Sequence, residues 1–436
     1  MKKTSIIAAA MAVSVLCGVV PFSPYIAPKA PINADAAEEV VSEGLKFTLR
    51  SDRAELTGCT DDVGADVVIP DTVEGYPVTA INKLVSDNIK SVTIPDSVIT
   101  IDSGAFANNK NLVSVTFGKN VQFIRQEAFR GCESLKSVKL PDNAVLELGV
   151  WAFCDCTSLE EADLGKGLST VGASAFMGCK SLKKVDFGHV EDIGNGTFDR
   201  CSALTDIVLP DTVLTIGESA FQDCTGLTSF DIGKYVRNIK SNAFLRCSAL
   251  ETVKFSEALT SIGRDAFNGC SKLKDVKLNE GVTSIDFGAF SSIDDLTIEL
   301  PSTLENINDY TFSSSKNVTV KGYDDTVAES FVAANNEKAG ALKITFVSMG
   351  AAPVIKYALG DVNADSKVDA TDATLVLVNY ALLSTGEEIH LTAAQKQAAD
   401  INTETKIDSS DATLILQYYS YTSTGGTDSF EKYLGK

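Results

Sequence analysis

The sequence predicts a mainly β repeat solenoid of parallel strands with short helical turns, joined to a small all-α module built on two acidic loops. Three observations carry this. Phenylalanine recurs every 22 to 24 residues through the middle of the chain. Cysteine and leucine keep the same register behind it. Near the C-terminus a twelve-residue pattern of Asp and Asn occurs twice, 39 residues apart.

The repeat is read first, because self-similarity at a fixed period decides architecture. Phe stands at 106, 129, 153, 176, 198, 221, 244, 267, 290 and 312, and Ala precedes it in eight of these ten cases. Five residues before each Phe stands an aliphatic side chain, such as Ile101, Leu148, Ile216 or Ile285. Six residues after it stands Leu, from Leu112 to Leu296. A short alternating run follows, such as Val138-Lys139-Leu140. One such unit cannot bury its own apolar side, but stacked units share a continuous core. The alternating run supplies a parallel strand with side chains in and out, and ten rungs spaced ~4.8 Å give a rod on the order of 50 Å long. The Ala-Phe segment reads as a helical turn or tight loop on the opposite wall, with Phe inward.

Cys132, Cys156, Cys179, Cys201, Cys224, Cys247 and Cys270 each stand three residues after the Phe. Asn109, Ile293 and Ser315 fill the same slot in other units, which a required bridge would not tolerate. The slot therefore reads as inward-facing thiols, small buried hydrophobes, in preference to disulfides. Cys59 and Cys154 lie off this ladder and receive no assignment.

The repeat resembles the BspA-like branch of bacterial leucine-rich-repeat proteins, with Phe221, Cys224, Leu227, Phe230, Ile232, Val236 and Ile239 marking one unit. The resemblance covers about residues 44–348. It implies a first atypical unit around Ile69-Pro70 and Tyr76–Ile81, and a capping hairpin over Leu45–Cys59. It also implies a closing cap with a helix near Thr326–Ala334 and a last strand at Leu342–Val347. Such proteins are regarded as surface adhesins, so binding is implied and not catalysis.

The exposed strand positions include Ser137, Lys139, Glu161, Asp163, Lys184, Asp186, Asp206, Ser229, Asp231, Thr252, Lys254, Asp275 and Lys277. Charges of both signs alternate and no aromatic stripe appears. A protein ligand is therefore expected before a glycan. Trp151 sits two residues before a repeat Phe, where Gly104, Ser174 and Gly196 stand elsewhere, in a slot expected to be exposed.

Charge excludes other partners. The net charge of −20 repels nucleic acid and acidic lipid. Catalytic inventories come up short. The two histidines, His189 and His390, fall in different domains, so no Ser-His-Asp or Cys-His set is available to both. Cys154-Asp155-Cys156 lacks a second zinc pair. Asp and Glu are plentiful enough to supply the carboxylate pair of glycoside hydrolysis, but a shallow solenoid wall excludes water poorly. The chain is read as a non-enzyme.

The two acidic loops hold the sharpest chemistry. Residues 359–424 carry ten Asp or Glu and three Lys. The first loop places Asp361, Asn363, Asp365, Asp369 and Asp372 at positions 1, 3, 5, 9 and 12, with the backbone carbonyl of Lys367 at position 7. The second repeats this with Asp400, Asn402, Glu404, Asp408 and Asp411, and the carbonyl of Lys406. Six or seven oxygens on such a loop suit a hard cation, Ca²⁺. Val368 points into the core, and a helix follows each loop. Thr392 and Gln395 form a capping-box signal for a middle helix.

Duplicated F-hand loops with Asp at position 12 resemble type I dockerins, modules that plug subunits into cellulosome scaffolds by binding cohesin domains. The resemblance covers about 359–424. It implies cohesin contacts at Ala370, Thr371, Leu377 and Val378 in the first copy and at Ser409, Ser410, Leu416 and Gln417 in the second. Position 6 departs from the family's Gly, with Ser366 and Thr405. A β-branched Thr in a left-handed turn costs about 1–2 kcal/mol, and Glu404 is longer than the usual Asp. Two Ca²⁺ ions are expected, the second held more weakly.

The ends complete the organisation. Lys2 and Lys3, an apolar run from Ile6 to Val20, and Ala34-Asp35-Ala36 read as a signal peptide over 1–36, cleaved after Ala36. Cys17 alone would suggest a lipoprotein, but Ser14 stands where such signals need an aliphatic residue. No membrane span is expected in the mature chain. The expected divisions are a cap with one atypical repeat (37–92), repeats of about 23 residues (93–316), a closing cap (317–348) and a linker (349–358). The dockerin (359–424) and a tail (425–436) follow. The protein reads as secreted, extracellular or attached to the cell surface through a cohesin scaffold. A binding subunit is expected; a dockerin-bearing polysaccharide-degrading enzyme or a structural spacer of the same complex is the alternative.

Overall fold

A computed structural model describes residues 38–142, 147–338, 342–353, 359–363, 367–385, 391, 393–402 and 406–435. The signal-peptide reading lies outside these residues, as do Asp365, Ser366, His390, Thr392, Glu404 and Thr405.

The middle of the chain is a parallel β-solenoid. The alternating runs form three-residue strands such as Ser137–Lys139, Glu161–Asp163 and Lys184–Asp186, paired in parallel and in register. A second parallel ladder was not anticipated. The aliphatic five residues before each Phe ends a two-residue strand, as in Thr215–Ile216, Asn238–Ile239 and Ser261–Ile262. Its sequence signal is present but short, one polar residue followed by one buried aliphatic. A third column joins the rungs at the Phe turn, where Phe221 N–H donates to Ala243 C=O at 2.8 Å.

The Phe side chains point inward, as expected. Their rings form one continuous column, with neighbouring centroids 4.7 Å apart at Phe106–Phe129 and 6.4 Å apart at Phe290–Phe312. Left-handed residues flank the Phe on both sides: in one rung Asn242 and Arg246 have φ of 60° and 59°. Trp151 occupies the first of these slots at φ 57° and is 37% exposed.

The cysteine slot is a ladder of free thiols among the described residues. Each ladder thiol is buried and donates to the carbonyl of a Phe one rung earlier. Cys224 reaches Phe198 O at 3.1 Å, and Cys247 reaches Phe221 O at 3.0 Å. Burial pushes the Cys224 and Cys247 thiols well above their ordinary pKa, so they stay protonated donors. Of the slot's three other occupants, two keep the donor and Ile293 is simply a buried hydrophobe. Asn109 donates to Leu84 O at 2.6 Å and Ser315 to Phe290 O at 3.4 Å. Off the ladder, Cys154 is buried and its thiol is pushed up to about 12 by burial and by Asp155. Cys224→Ala should cost about 0.5–1.5 kcal/mol by removing one of the two hydrogen bonds to the Phe198 carbonyl, which still accepts from Cys201 N at 3.1 Å, and Cys224→Ser, which keeps a donor, should cost less. Denaturation midpoints would settle this: an alanine variant as stable as the serine variant removes the hydrogen bond from the account.

Both ends of the stack are closed. Glu38–Ser42, Leu45–Leu49 and Ala54–Cys59 form an antiparallel cap whose last strand runs parallel to Tyr76–Ile81. At the other end helix α1 (Val327–Glu337) covers the core with Phe331 and Val332. The last strand differs from expectation, spanning Thr345–Ala351, so the first residues of the expected linker still pair with Thr319–Asp324.

The C-terminal module holds α2 (Ala370–Thr385), α3 (Ala393–Ala399), α4 (Ser409–Ser423) and α5 (Phe430–Tyr433). Its small core includes Val362, Val376, Ile401, Ile415 and Phe430, with Val368 and Ile407 packed against it. The expected tail is a clasp. Phe430 lies 4.8 Å from the Tyr418 ring and Tyr433 lies 5.0 Å from Tyr421, while the Tyr418 hydroxyl donates to the Asp428 backbone carbonyl and the Tyr421 hydroxyl to Asp428 Oδ2, both at 2.9 Å. A Cβ on Gly360 would stand 2.3 Å from the Phe430 ring, so only glycine fits at the mouth of the first loop. Two aromatic rings, Phe430 and Tyr433, gave this segment an apolar face to bury, a signal present in the sequence but carrying no period.

Candidate metal centres and docking face

Each loop is closed by its position-12 aspartate. Asp372 is fully buried. Its Oδ1 accepts from Val362 N at 2.7 Å and Asn363 N at 3.1 Å, and its Oδ2 accepts from Asp369 N at 3.0 Å. Asp411 repeats this with Ile401 N at 2.8 Å, Asn402 N at 3.3 Å and Asp408 N at 3.0 Å. A carboxylate oxygen has two lone pairs, so Oδ1 spends both on N–H groups while Oδ2, which holds one, can still face a cation. The short Asp thus explains why a longer Glu is absent: it locks the loop from within.

Position 9 starts the following helix. Asp408 caps α4, its Oδ1 accepting from Ser410 N at 2.7 Å, and Asp411 completes a capping box. Ser410 holds the Asp408 carboxyl below its usual range. In the first loop Asp369 Oδ1 accepts from Thr371 N at 2.7 Å. Asp361 is 4% exposed, Asn363 and Asp369 are half-buried, and Lys367 is exposed, as its backbone role requires. In the second loop Asp400, Asn402 and Asp408 are half-buried and Lys406 is exposed. Gln395, buried on α3, donates to Val362 O at 3.2 Å and ties the middle helix to the first loop.

The donor chemistry fits Ca²⁺. Burial pushes the Asp372 carboxyl up to about 7, the neighbouring Asp361 adds to the rise, and three backbone N–H groups only partly oppose it. Two buried carboxylates side by side call for a positive charge. Among the described residues no three Asp, Glu, His or Cys side chains converge on one point. Each loop's fifth-position acid, Asp365 or Glu404, lies outside those residues.

The expected docking residues lie on the early helices. Ala370 and Thr371 are half-buried, Leu377 and Val378 are exposed, and Ser409, Ser410, Leu416 and Gln417 are exposed. The structure adds Tyr380, Leu383 and Tyr419, exposed by 40%, 46% and 44%. They continue the stripe at i, i+3 and i+6 from Leu377 and at i+3 from Leu416, a helical spacing that could have been read earlier.

The solenoid's strand wall presents the expected residues outward, exposed or half-buried. Its charges pair between rungs, Lys139 with Asp163 at 3.3 Å and Lys254 with Asp231 at 2.8 Å. No helix among the described residues is long and apolar enough to cross a membrane.

The BspA type leucine rich repeat region matches residues 83–205 and 191–319, together more than half of the chain. The dockerin type I domain matches residues 359–419. A leucine-rich repeat protein from Bacteroides ovatus is 22% identical over 71% of this chain and all of that one, with a TM-score of 0.33. A leucine rich cell surface protein from Faecalibacterium prausnitzii is also 22% identical, over 68% of this chain and 98% of that one, with a TM-score of 0.38. No curated protein matches.

Proposed function

The chain belongs to the BspA-type leucine rich repeat family and carries a C-terminal type I dockerin domain, and from this we propose that it is a secreted binding subunit held on a cohesin-bearing scaffold. Both domains belong to non-catalytic families, and the solenoid with its caps accounts for nearly all of the chain outside the dockerin. In this reading residues 1–36 direct export. The strand wall, with charges of both signs, meets a protein ligand, and the dockerin anchors the subunit to a cellulosome-like complex at the cell surface. Ca²⁺ is held by Asp361, Asn363, Asp365, Asp369, Asp372 and the Lys367 carbonyl. A second ion is held more weakly by Asp400, Asn402, Glu404, Asp408, Asp411 and the Lys406 carbonyl.

The observation that supports this best is the twofold repetition of one loop lock. Asp372 and Asp411 bind three backbone N–H groups each, at equivalent positions, at the head of helices with matching exposed stripes. Two equivalent faces suit a module that presents either copy to its partner. The test is capture of the full-length chain on a panel of immobilised type I cohesins. Capture is expected in millimolar calcium and should vanish in chelator. Leu377→Asp combined with Leu416→Asp should lose it in calcium, while either change alone keeps part of it. Capture that ignores the chelator, or none on any cohesin, defeats the reading.

A further inference from the structure

The N-terminal cap buries one acid and uses it to hold arginines in place. Glu55, on the last cap strand, is 8% exposed. Its Oε2 accepts from Arg50 Nε and Nη2, both at 3.3 Å, and from Asn82 Nδ2 at 3.4 Å. Its Oε1 accepts from Arg53 Nε at 3.0 Å. Burial alone would raise this carboxyl, but Arg53 and Arg50 hold it below its usual range. A third arginine, Arg125, follows the second-ladder strand Phe123–Ile124. Its guanidinium carbon lies 5.4 Å from the Phe123 ring centroid, and its Nε lies 3.4 Å from Asp102 Oδ1.

Arg53 and Arg125 line one open groove of ≈ 550 Å³ where the cap sheet passes into the second ladder. Thr79, Thr100 and Ser103 line it too, with Ile99, 38% exposed, as an apolar side. The acceptors here are spent and the donors are not. Both Glu55 oxygens are occupied, and Asp102 is turned to Arg125. Arg53 spends Nε on Glu55 and Nη1 on Asp52. Its Nη2, and both Nη atoms of Arg125, have no hydrogen-bond partner among the described residues. A guanidinium presents its N–H groups in a planar fork that matches a carboxylate.

We infer that this groove takes an acidic side chain of an extended peptide, its carboxylate held by Arg53 and Arg125 and a neighbouring apolar side chain lying on Ile99. Among the described residues no aromatic ring lines the groove, so a sugar has no face to stack on. The local charges balance, Arg50, Arg53 and Arg125 against Asp52, Glu55 and Asp102, so the chain's net −20 is not concentrated at this spot. The groove belongs to the second ladder and not to the strand wall, and the inference does not rest on the reading of that wall.

The probes are end-blocked, fluorescein-labelled peptides that set one Asp or Glu among Ser, Gly and Ile, with Asn, Gln and Lys versions as controls. Binding to the full-length chain in calcium is read by anisotropy. The acidic peptides should bind, the controls should not, and salt should weaken the binding. Arg125→Gln should weaken it roughly tenfold or more, the loss of a charge-assisted contact, at an unchanged melting temperature. Arg125→Lys should restore only part, because an ammonium lacks the fork. Asp102→Asn should tighten binding by freeing Arg125, an effect that a merely structural ion pair would not give. Cohesin capture of the same variants should not change, so the two readings fail separately. Acidic peptides that do not bind overturn the inference. So does binding indifferent to Arg125→Gln, or polygalacturonate binding where the peptides do not.

Discussion

Chelation of calcium in the full-length protein should unfold the C-terminal module and leave the solenoid folded. The reason is local. Asp361 and Asp372 are 4% and 0% exposed, and burial pushes Asp372 up to about 7. With no cation, like charges in each loop oppose closure, and the module's apolar core is too small to compensate. At a calcium concentration 100 to 1,000 times the dissociation constant, each site would add about 3–4 kcal/mol. Calorimetry should therefore show two transitions in calcium, and only the solenoid's in chelator. Phe430→Ala should lower the calcium-dependent transition by about 3–5 kcal/mol, because it empties the clasp over Gly360. Identical thermograms with and without chelator would reject calcium-coupled folding.

Phe198→Ala should be the most damaging single change in the solenoid. The ring is 0% exposed, stacked at 5.6 Å on Phe176 and 5.3 Å on Phe221, with Phe187 edge-on at 5.8 Å. Truncating a buried Phe costs about 3–5 kcal/mol, and each lost aromatic pair adds about 0.5–1.5 kcal/mol. Repeat proteins are held by nearest-neighbour interfaces. A hole in a central rung therefore weakens both interfaces at once and should broaden the unfolding transition as the two halves uncouple. Val208, on the strand wall and 71% exposed, serves as the control: Val208→Ala should fall within about 0.5 kcal/mol of the parent. Equal guanidinium midpoints for the two variants would refute the Phe column as the spine of the fold.

The solenoid was legible because every rung solves the same burial problem with the same residues. Phe, Leu, Cys and the aliphatic before them recur in register, and each lies inward where the period puts it. The second strand ladder was harder to see, since two residues per rung carry no alternation of their own. The thiol slot was legible as buried, but its purpose was not. Cys, Asn and Ser share the position because each donates to a carbonyl one rung earlier, while Ile293 meets only the demand for burial.

The sequence by itself determined the repeat, the order of the two domains and the composition of both acidic loops, because periodicity and ligand spacing are properties of the chain. Only the tertiary structure decided what meets across long separations. It made the supposed tail a clasp over Gly360 and turned the position-12 aspartates into locks on three amides each. It also set Arg264, Phe287 and Tyr310 in a row. The physical reason is common to all three: even where a period aligns the residues, as with Arg264, Phe287 and Tyr310 at steps of 23, the energy of these contacts exists only once neighbouring rungs or helices have already packed.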